Sequence, residues 1–223
     1  MKALSLARPL LILVIGLPGA GKSFFARHFS DTFGAPLVSA DEMQFELFDP
    51  PKFSPLEYGL VRRLAERQLT QLVKTRSSII IDGICNTRQE RQQLEQFAAA
   101  HKYGTLIVWV QTDEPTAKNR STTRNKKRPG DELNVRLTAE QYATHAKRMA
   151  QPVKTEDYVV ISGKHTYSTQ AKMVLRKLAA PRAEKAEAAY QKETEQVRAR
   201  TPNPAPRPVT TTTAQARRNV IIR

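Results

Sequence analysis

Five short apolar runs recur along the chain, and each is continuous rather than alternating with polar residues. The runs are Leu10–Ile15, Pro36–Ala40, Ser77–Asp82, Thr105–Val110 and Asp157–Ile161. Continuous apolar runs of this length are typical of strands that are buried on both faces of a parallel sheet. Helical patterns separate the runs, as βαβ units require. The pattern therefore predicts an α/β fold built on a five-stranded parallel sheet.

Capping signals mark where several of the helices begin and end. Ser54, Thr87 and Thr138 are each followed three residues later by Glu or Gln, which is the spacing of a capping box. Each such cap satisfies backbone donors that the first helical turn leaves open. Gly34 and Gly104 are predicted to end helices in the left-handed conformation.

A glycine-rich segment follows the first apolar run and opens a helix predicted over Ser23–Phe33. Its sequence, Gly-Leu-Pro-Gly-Ala-Gly-Lys-Ser, fits the phosphate-loop pattern G-x-x-x-x-G-K-[ST]. Glycines let backbone amides surround phosphate oxygens, the lysine reaches the terminal phosphates, and the serine can bind magnesium. We therefore predict a nucleotide site formed by Gly16, Leu17, Pro18, Gly19, Ala20, Gly21, Lys22, Ser23 and Phe24, with Lys22 also catalytic.

The third run ends in a carboxylate, Asp82, which is typical of a Walker-B strand. There it would lie near a magnesium ion, together with Ser23; the alternative is a buried strand that ends in an Asp-Gly turn. The next residue is Gly83, where motor-type ATPases generally place a water-activating glutamate. This difference favours phosphoryl transfer to a substrate hydroxyl over transfer to water.

A second carboxylate, Asp41, ends the second run. The carboxyl ends of parallel strands line the ligand crevice of an open sheet, so Asp41 should face the phosphate loop. There it could accept the proton of an attacking hydroxyl and so contact the substrate. The alternative is a helix N-cap, because a helix is predicted over Glu42–Phe48. The two roles are compatible if Ser39 provides the cap.

The segment Lys118–Arg136 contains seven basic and two acidic residues. Arg120, Arg124 and Arg128 recur every four residues and would form one stripe on a helix. Such a stripe can close over a nucleotide as a lid, and arginines there would stabilise charge on the transferring phosphoryl group. The alternative is a solvated basic face or a nucleic-acid patch.

Three polar residues follow Asp82 at short spacing. Asn86, Arg88 and Arg91 are placed to contact an acceptor or to steady the lid. Equally, Arg88 and Arg91 could be exposed charges on a helix, and the sequence leaves the two interpretations open.

Composition narrows the class of partner. The 223 residues include 36 Lys and Arg against 21 Asp and Glu, a net charge of +15, which favours polyanionic partners.

A single cysteine excludes an intramolecular disulfide and suits a reducing compartment, so we expect a cytoplasmic protein with no membrane span and no secretory leader. A charged, Pro- and Thr-rich tail at 181–223 is expected to be mostly disordered.

These motifs together resemble the P-loop kinases of the polynucleotide-kinase and zeta-toxin type, whose members are often described simply as AAA-domain ATP-binding proteins. The likeness rests on the phosphate loop, Ser39-Ala-Asp41, the Ile-Ile-Asp-Gly-x-x-Asn-Thr-Arg segment from Ile80 to Arg88, and the arginine lid. It covers residues 9–180. It differs at Gln44, where polynucleotide kinases usually carry an arginine that holds the acceptor's phosphate.

The resemblance implies a three-layer P-loop sandwich with strand order 2-3-1-4-5, and ATP and Mg²⁺ as ligands. It implies that Asp41 is the general base, that Arg124 or Arg128 stabilises the transition state, and that Arg120 and Lys164 border the adenine.

We therefore predict a kinase domain at 1–180 that phosphorylates a hydroxyl of a small molecule or nucleotide-like acceptor. Alternatives are an ATP-binding factor that grips nucleic acid weakly through the basic lid and tail, a polynucleotide 5′-hydroxyl kinase, and a toxin-like kinase of a nucleotide sugar.

Overall fold

The computed structural model of the chain describes residues 8–49, 51–123 and 136–180. Its strands are β1 Leu10–Ile15, β2 Leu37–Ser39, β3 Ile79–Asp82, β4 Gly104–Gln111 and β5 Tyr158–Ser162. Its helices are α1 Lys22–Phe33, α2 Ala40–Leu47, α3 Pro55–Leu72, α4 Arg88–Ala100, α5 Glu114–Thr122 and α6 Ala139–Arg148. A 3₁₀ turn, Val73–Thr75, follows α3, and a seventh helix, α7, is described over residues 167–180.

All five strands lie in one parallel sheet with the order β2-β3-β1-β4-β5. The central strand β1 pairs with β3 on one side and β4 on the other, so that Leu13 lies between Ile81 and Ile107. This arrangement confirms the predicted α/β fold and strand order. Each of the five apolar runs corresponds to a strand, and the predicted and observed ends differ by at most two residues.

Side chains from the two faces of the sheet enter two separate hydrophobic clusters. Leu11 and Leu13 of β1 pack with α3 and α4, whereas Ile12 and Val14 pack with α1 and α7. Successive residues of a strand point to opposite faces. Every position of β1 after Leu10 is therefore buried, which is why its sequence is apolar throughout.

Two of the three predicted capping boxes form in full, at Thr87 with Glu90 and at Thr138 with Gln141. At the third, the Ser54 hydroxyl accepts from the Glu57 backbone N–H at 3.2 Å, as expected. The Glu57 side chain instead accepts hydrogen bonds from the backbone N–H groups of Lys52 and Phe53. The carboxylate therefore orders the loop that precedes α3.

The prediction for Gly34 is confirmed, because it ends α1 with φ 62°. The prediction that Gly104 is a left-handed helix stop is wrong, because Lys102 takes that conformation, with φ 65°. Gly104 is instead the first residue of β4. A Cβ there would meet only the ends of the flexible Leu10 and Arg8 side chains, which could move aside.

Three sequence predictions lie outside the described residues. They are the roles of Arg124 and of Arg128 and the disorder of the tail at 181–223. Among the helices that the structure does describe, none is long and apolar enough to cross a lipid bilayer.

Candidate active site

The phosphate loop joins β1 to α1 at the carboxyl edge of the sheet. Gly19 and Gly21 have positive φ angles of 78° and 103°, which lets the chain curl back on itself. No side chain caps the start of α1, where Gly21 is the N-cap residue. The first amides of this helix therefore remain available to an anion, and the helix dipole favours negative charge at the same place.

Two close contacts support the loop from behind. A Cβ at Gly19 would collide with the carbonyl oxygen of Ala117 on α5, and one at Gly163 would collide with the carbonyl oxygen of Ala20. The Thr112 hydroxyl also donates a hydrogen bond to the Ala20 carbonyl, at 3.1 Å. The loop is thus held against α5 and the turn after β5, which fixes its shape before a ligand binds.

Lys22 and Asp82 lie near the phosphate loop, close enough to interact electrostatically. The Lys22 ammonium group donates to the Leu17 carbonyl at 3.0 Å, and Asp82 is only 2% exposed at the end of β3. Neither carboxylate oxygen of Asp82 has a hydrogen-bond partner of ordinary geometry. Burial and the nearby Asp41 charge raise the pKa of Asp82 to about 6, although Lys22 and the Ser23 hydroxyl oppose the shift.

A buried carboxylate with open lone pairs fits a divalent cation held jointly with phosphate oxygens. Within the described ranges, no group of three or more His, Cys, Asp or Glu side chains could hold a metal by itself. Mg²⁺ is commonly bound by one or two protein oxygens together with substrate phosphates. The residues present, Ser23 and Asp82, therefore fit Mg²⁺ that arrives with a nucleotide.

Replacing Asp82 with Asn should stabilise the ligand-free protein. The raised pKa means that the folded state binds the proton more tightly than the unfolded state, so wild-type stability falls as pH rises from about 4 through 6. The variant lacks this loss and should gain about 1–3 kcal/mol at pH 7, and less at pH 4. Urea unfolding at both pH values measures it. A variant that is less stable at pH 7 would contradict the assigned shift.

Asp41 lies in the first turn of α2 and lines a cavity that also contains the phosphate loop. The Ser39 hydroxyl caps α2 by accepting from the Glu42 N–H at 3.3 Å, so Asp41 is not the capping residue. The Asp41 side chain is solvent exposed and lines the same cavity as Lys22 and Ser23. Gly83 packs so closely on Ala40 that a side chain at position 83 would collide with the Ala40 Cβ atom.

One cavity of about 650 Å³ joins these groups. One side of it is formed by the phosphate loop and α1, and the other side by α2, the loop before α3, and parts of α3, α4 and α6. Its lining includes Gly16, Pro18, Gly19, Gly21, Lys22, Ser23, Phe24, Arg27, Asp41, Gln44, Phe53, Tyr58, Asn86, Glu90, His145 and Arg148. The cavity therefore extends from the phosphate loop past Asp41 to a region lined by α3, α4 and α6.

The remaining predicted nucleotide residues lie around the loop. Ala20 is fully buried, and Leu17 packs against the hydrophobic cluster around α1. Arg120 donates to the Gly163 carbonyl at 3.1 Å, and Lys164 forms an ion pair with Asp113. Arg120 and Lys164 therefore both lie at the turn after β5, next to the phosphate loop, and neither lines the cavity.

The three predicted acceptor residues separate in the structure. Asn86 lines the cavity, and its buried side-chain oxygen has no hydrogen-bond partner. Arg88 is exposed on α4 and is not part of the lining. Arg91 is 1% exposed and forms a bidentate ion pair with Glu156, with N–O distances of 2.7 and 3.1 Å. This burial is at odds with the expectation that Arg91 contacts an acceptor.

Several residues that line the cavity were not predicted as site residues, and five of them lie together on α3, α4, α6 and the loop before α3. They are Phe53, Tyr58, Glu90, His145 and Arg148. Tyr58 donates to Glu90, Arg148 pairs with Glu90 at 3.3 Å, and the Arg148 guanidinium lies 4.4 Å from the Tyr58 ring centroid. They come from three helices and a loop that are far apart in sequence, and no spacing rule connects such positions.

The phosphate loop at the switch in strand order defines the class of the molecule, a P-loop nucleotide-binding protein. The chain belongs to an AAA-domain family, whose model matches residues 11–152. This membership implies ATP binding. No curated protein sequence gives a significant match. The family finding supports the broader part of the resemblance, and the narrower polynucleotide-kinase or zeta-toxin type stays a prediction.

Several solved structures share the fold. A sugar kinase from Janibacter sp. is 16% identical with a TM-score of 0.55, over 76% of this chain and 94% of that one. A gluconokinase from Sinorhizobium meliloti is 17% identical with a TM-score of 0.54, over 82% and 97%. The APS kinase CysC of Mycobacterium tuberculosis, in complex with AMPPNP and APS, is 17% identical with a TM-score of 0.56, over 77% and 98%. At these identities the likeness establishes the fold.

Proposed function

We propose that the protein is an ATP-dependent phosphotransferase that phosphorylates a hydroxyl of a small molecule. The observation that carries the proposal is the single cavity, which contains both the phosphate loop and the Asp41 carboxylate and extends beyond them. An ATP phosphate chain and a hydroxyl acceptor would therefore share one cavity. The small-molecule kinases among the structural neighbours agree with this assignment.

In this proposal Lys22 and the loop amides hold the β- and γ-phosphates. Ser23 and Asp82 would hold Mg²⁺, which neutralises phosphate charge when bound. Asp41 orients the acceptor hydroxyl and takes its proton as the hydroxyl oxygen bonds to the γ-phosphorus. The bond from that phosphorus to the β,γ-bridging oxygen breaks, and ADP leaves. Close packing of Gly83 on Ala40 leaves no room at that position for a water-activating side chain.

The other predicted groups complete the scheme. Arg124 and Arg128 would stabilise the transferring phosphoryl group, whereas Arg120 and Lys164 would border the adenine from the turn after β5. Asn86 would contact the acceptor with its unsatisfied oxygen. We assign these roles to a catalytic domain at 1–180, with 181–223 as a tail.

Transfer from [γ-³²P]ATP tests the proposal. With Mg²⁺ and a panel of hydroxyl compounds, including a 5′-hydroxyl oligonucleotide, we expect a phosphorylated small molecule to form faster than inorganic phosphate. Lys22→Met should reduce that transfer by at least about a hundredfold, because the lysine charge stabilises the transferring group. Release of inorganic phosphate alone would contradict the kinase assignment, and labelling of the oligonucleotide alone would favour the polynucleotide-kinase alternative.

A further inference from the structure

The part of the cavity beyond Asp41 has a wall of its own. We call it the acceptor wall and define it by Gln44, Phe53, Tyr58, Glu90, His145 and Arg148, all of which line the cavity. If the proposed function holds, this wall faces the molecule that receives the phosphoryl group. Its charges and shape therefore carry information about the chemical class of that molecule.

The two opposite charges on the acceptor wall are paired with each other. Arg148 contacts Glu90 at 3.3 Å and lies over the Tyr58 ring at 4.4 Å, while the Tyr58 hydroxyl also donates to Glu90. Glu90 is further held by the Thr87 N–H at 2.9 Å. An anionic group on the acceptor would have to compete with Glu90 for Arg148, and a cationic group would have to compete with Arg148 for Glu90.

The two arginines considered as acceptor contacts, Arg88 and Arg91, lie outside the acceptor wall. Arg91 is buried against Glu156, and Arg88 is exposed outside the cavity. Arg27, which does line the cavity, forms an ion pair with Glu42 at 3.1 Å. Among the residues that the structure describes, the acceptor wall therefore presents no cation apart from Arg148, which Glu90 already holds.

Apart from the Arg148–Glu90 pair, in which the Arg148 side chain is 43% exposed, the polar groups of the wall are neutral. Gln44 is 6% exposed, and its amide donates to Glu57 at 2.6 Å. Burial and the Arg148 charge lower the pKa of His145, so its ring is neutral at pH 7. Imidazole and amide groups can both donate to and accept from hydroxyls, which suits an uncharged polyol.

Phe53 gives the wall a flat apolar surface. Its backbone has φ 55°, a left-handed conformation that is uncommon for a bulky residue. Glu57 holds it there by accepting from the Phe53 N–H at 2.6 Å and the Lys52 N–H at 2.9 Å, and His145 lies edge-on to the Phe53 ring at 6.0 Å. Strain maintained by surrounding contacts is characteristic of functional sites.

We propose that the acceptor is an uncharged, hydroxyl-bearing ring, a sugar or cyclitol without phosphate, carboxylate or sulfate, whose apolar face rests on Phe53. The proposal rests on the proposed function and names its substrate class. The C–H face of such a ring packs on an aromatic side chain, and its hydroxyls meet Asp41, Asn86 and His145. An anionic substituent would lose hydration at this wall and would have to share Arg148 with the buried Glu90 carboxylate.

Matched acceptors test the class. With saturating Mg·ATP, kcat/KM is measured for glucose, galactose and myo-inositol, for glucose 6-phosphate and glucuronate, and for open-chain sorbitol. We expect the best of the neutral rings to be phosphorylated with kcat/KM at least tenfold above glucose 6-phosphate, glucuronate and sorbitol. A charged compound or sorbitol that is equal or better overturns the inference but leaves the kinase assignment intact. If no neutral ring is accepted, the inference is also overturned, and if no compound at all is phosphorylated, the kinase assignment fails with it.

Variants of Phe53 test its role with the best neutral ring. Phe53→Leu should raise the acceptor KM about three- to tenfold while the ATP KM stays within about twofold, and Phe53→Tyr should restore it. The matched control is Phe33→Leu, which alters a partly buried phenylalanine on the cluster around α1. Glu57→Gln should reproduce the KM effect, because it weakens the contacts that position Phe53. An unchanged acceptor KM in Phe53→Leu would overturn the assignment.

Discussion

Asp41→Asn should lower kcat for phosphoryl transfer about 10²- to 10⁴-fold, the range typical of lost general-base catalysis. Asparagine keeps the size of the side chain and can still orient a hydroxyl, but it cannot take the proton. The position lines the same cavity as Lys22 and Ser23. The loss should therefore appear in the chemical step.

ATP binding should survive in this variant. The Asp41 charge raises the pKa of Asp82, so its removal leaves Asp82 more readily ionised and Mg·ATP held at least as well. Single-turnover transfer and the Kd of a non-hydrolysable ATP analogue separate the two effects. Asp49→Asn provides a matched control, because Asp49 is an exposed carboxylate outside the cavity lining. If Asp41→Asn transfers phosphate at the wild-type rate, another group is the base.

Arg91→Met should destabilise the protein by about 3–5 kcal/mol, the cost typical of breaking a buried ion pair. The five N–H donors of Arg91 meet the Glu156 carboxylate twice and the carbonyl oxygens of Asn86, Ala150 and Gln151. These contacts connect the start of α4 to the segment that follows α6. Methionine fills much of the space but leaves the Glu156 charge and three carbonyls without their partner.

The instability should depend on pH in a defined direction. Burial alone would raise the pKa of Glu156, but hydrogen bonds from Arg91 and the Val153 N–H lower it overall. The pair's contribution is therefore complete above the ordinary glutamate pKa of 4.5 and is lost as pH falls below it. Urea unfolding from pH 3 to pH 7 should show the difference between wild type and Arg91→Met shrinking toward acid.

Two controls separate this structural role from substrate binding. Arg88→Met, an exposed neighbour on α4, should change stability by less than about 0.5 kcal/mol. Arg91→Lys keeps one positive charge with fewer donors and should fall between Arg91→Met and wild type. If Arg91 instead bound the acceptor, Arg91→Lys would raise the acceptor KM at nearly wild-type stability, and the structural assignment would fail.

Much of the fold could be predicted because its signals are local. Continuous apolar runs identify strands that are covered on both faces, and Ser or Thr caps identify helix starts whose partners lie three residues away. The phosphate loop is local as well, since one turn and one helix start supply its whole anion-binding surface. Even the short strand β2, Leu37–Ser39, was predicted from its apolar run.

Sequence spacing did not identify the hydrogen-bonding partners of two long polar side chains, Glu57 and Arg91. Glu57 has the spacing of a capping box, yet its carboxylate finds stronger partners in the loop before α3 and in Gln44. For Arg91 the sequence left an acceptor contact and an exposed helix charge open, whereas its partner in the structure, Glu156, lies 65 positions away in the chain. Local spacing cannot reveal which partner a long polar side chain will choose.

The amino-acid sequence alone determined the P-loop class, the parallel sheet, and the placement of Lys22, Ser23, Asp41 and Asp82 at the carboxyl edge of that sheet. Each of these features depends on contacts within a few residues or on the general geometry of βαβ units. Only the tertiary structure decided what stands opposite Asp41. Phe53, Tyr58, Glu90, His145 and Arg148 come together through the packing of α3, α4 and α6, and which side chains meet across such packing depends on the whole fold.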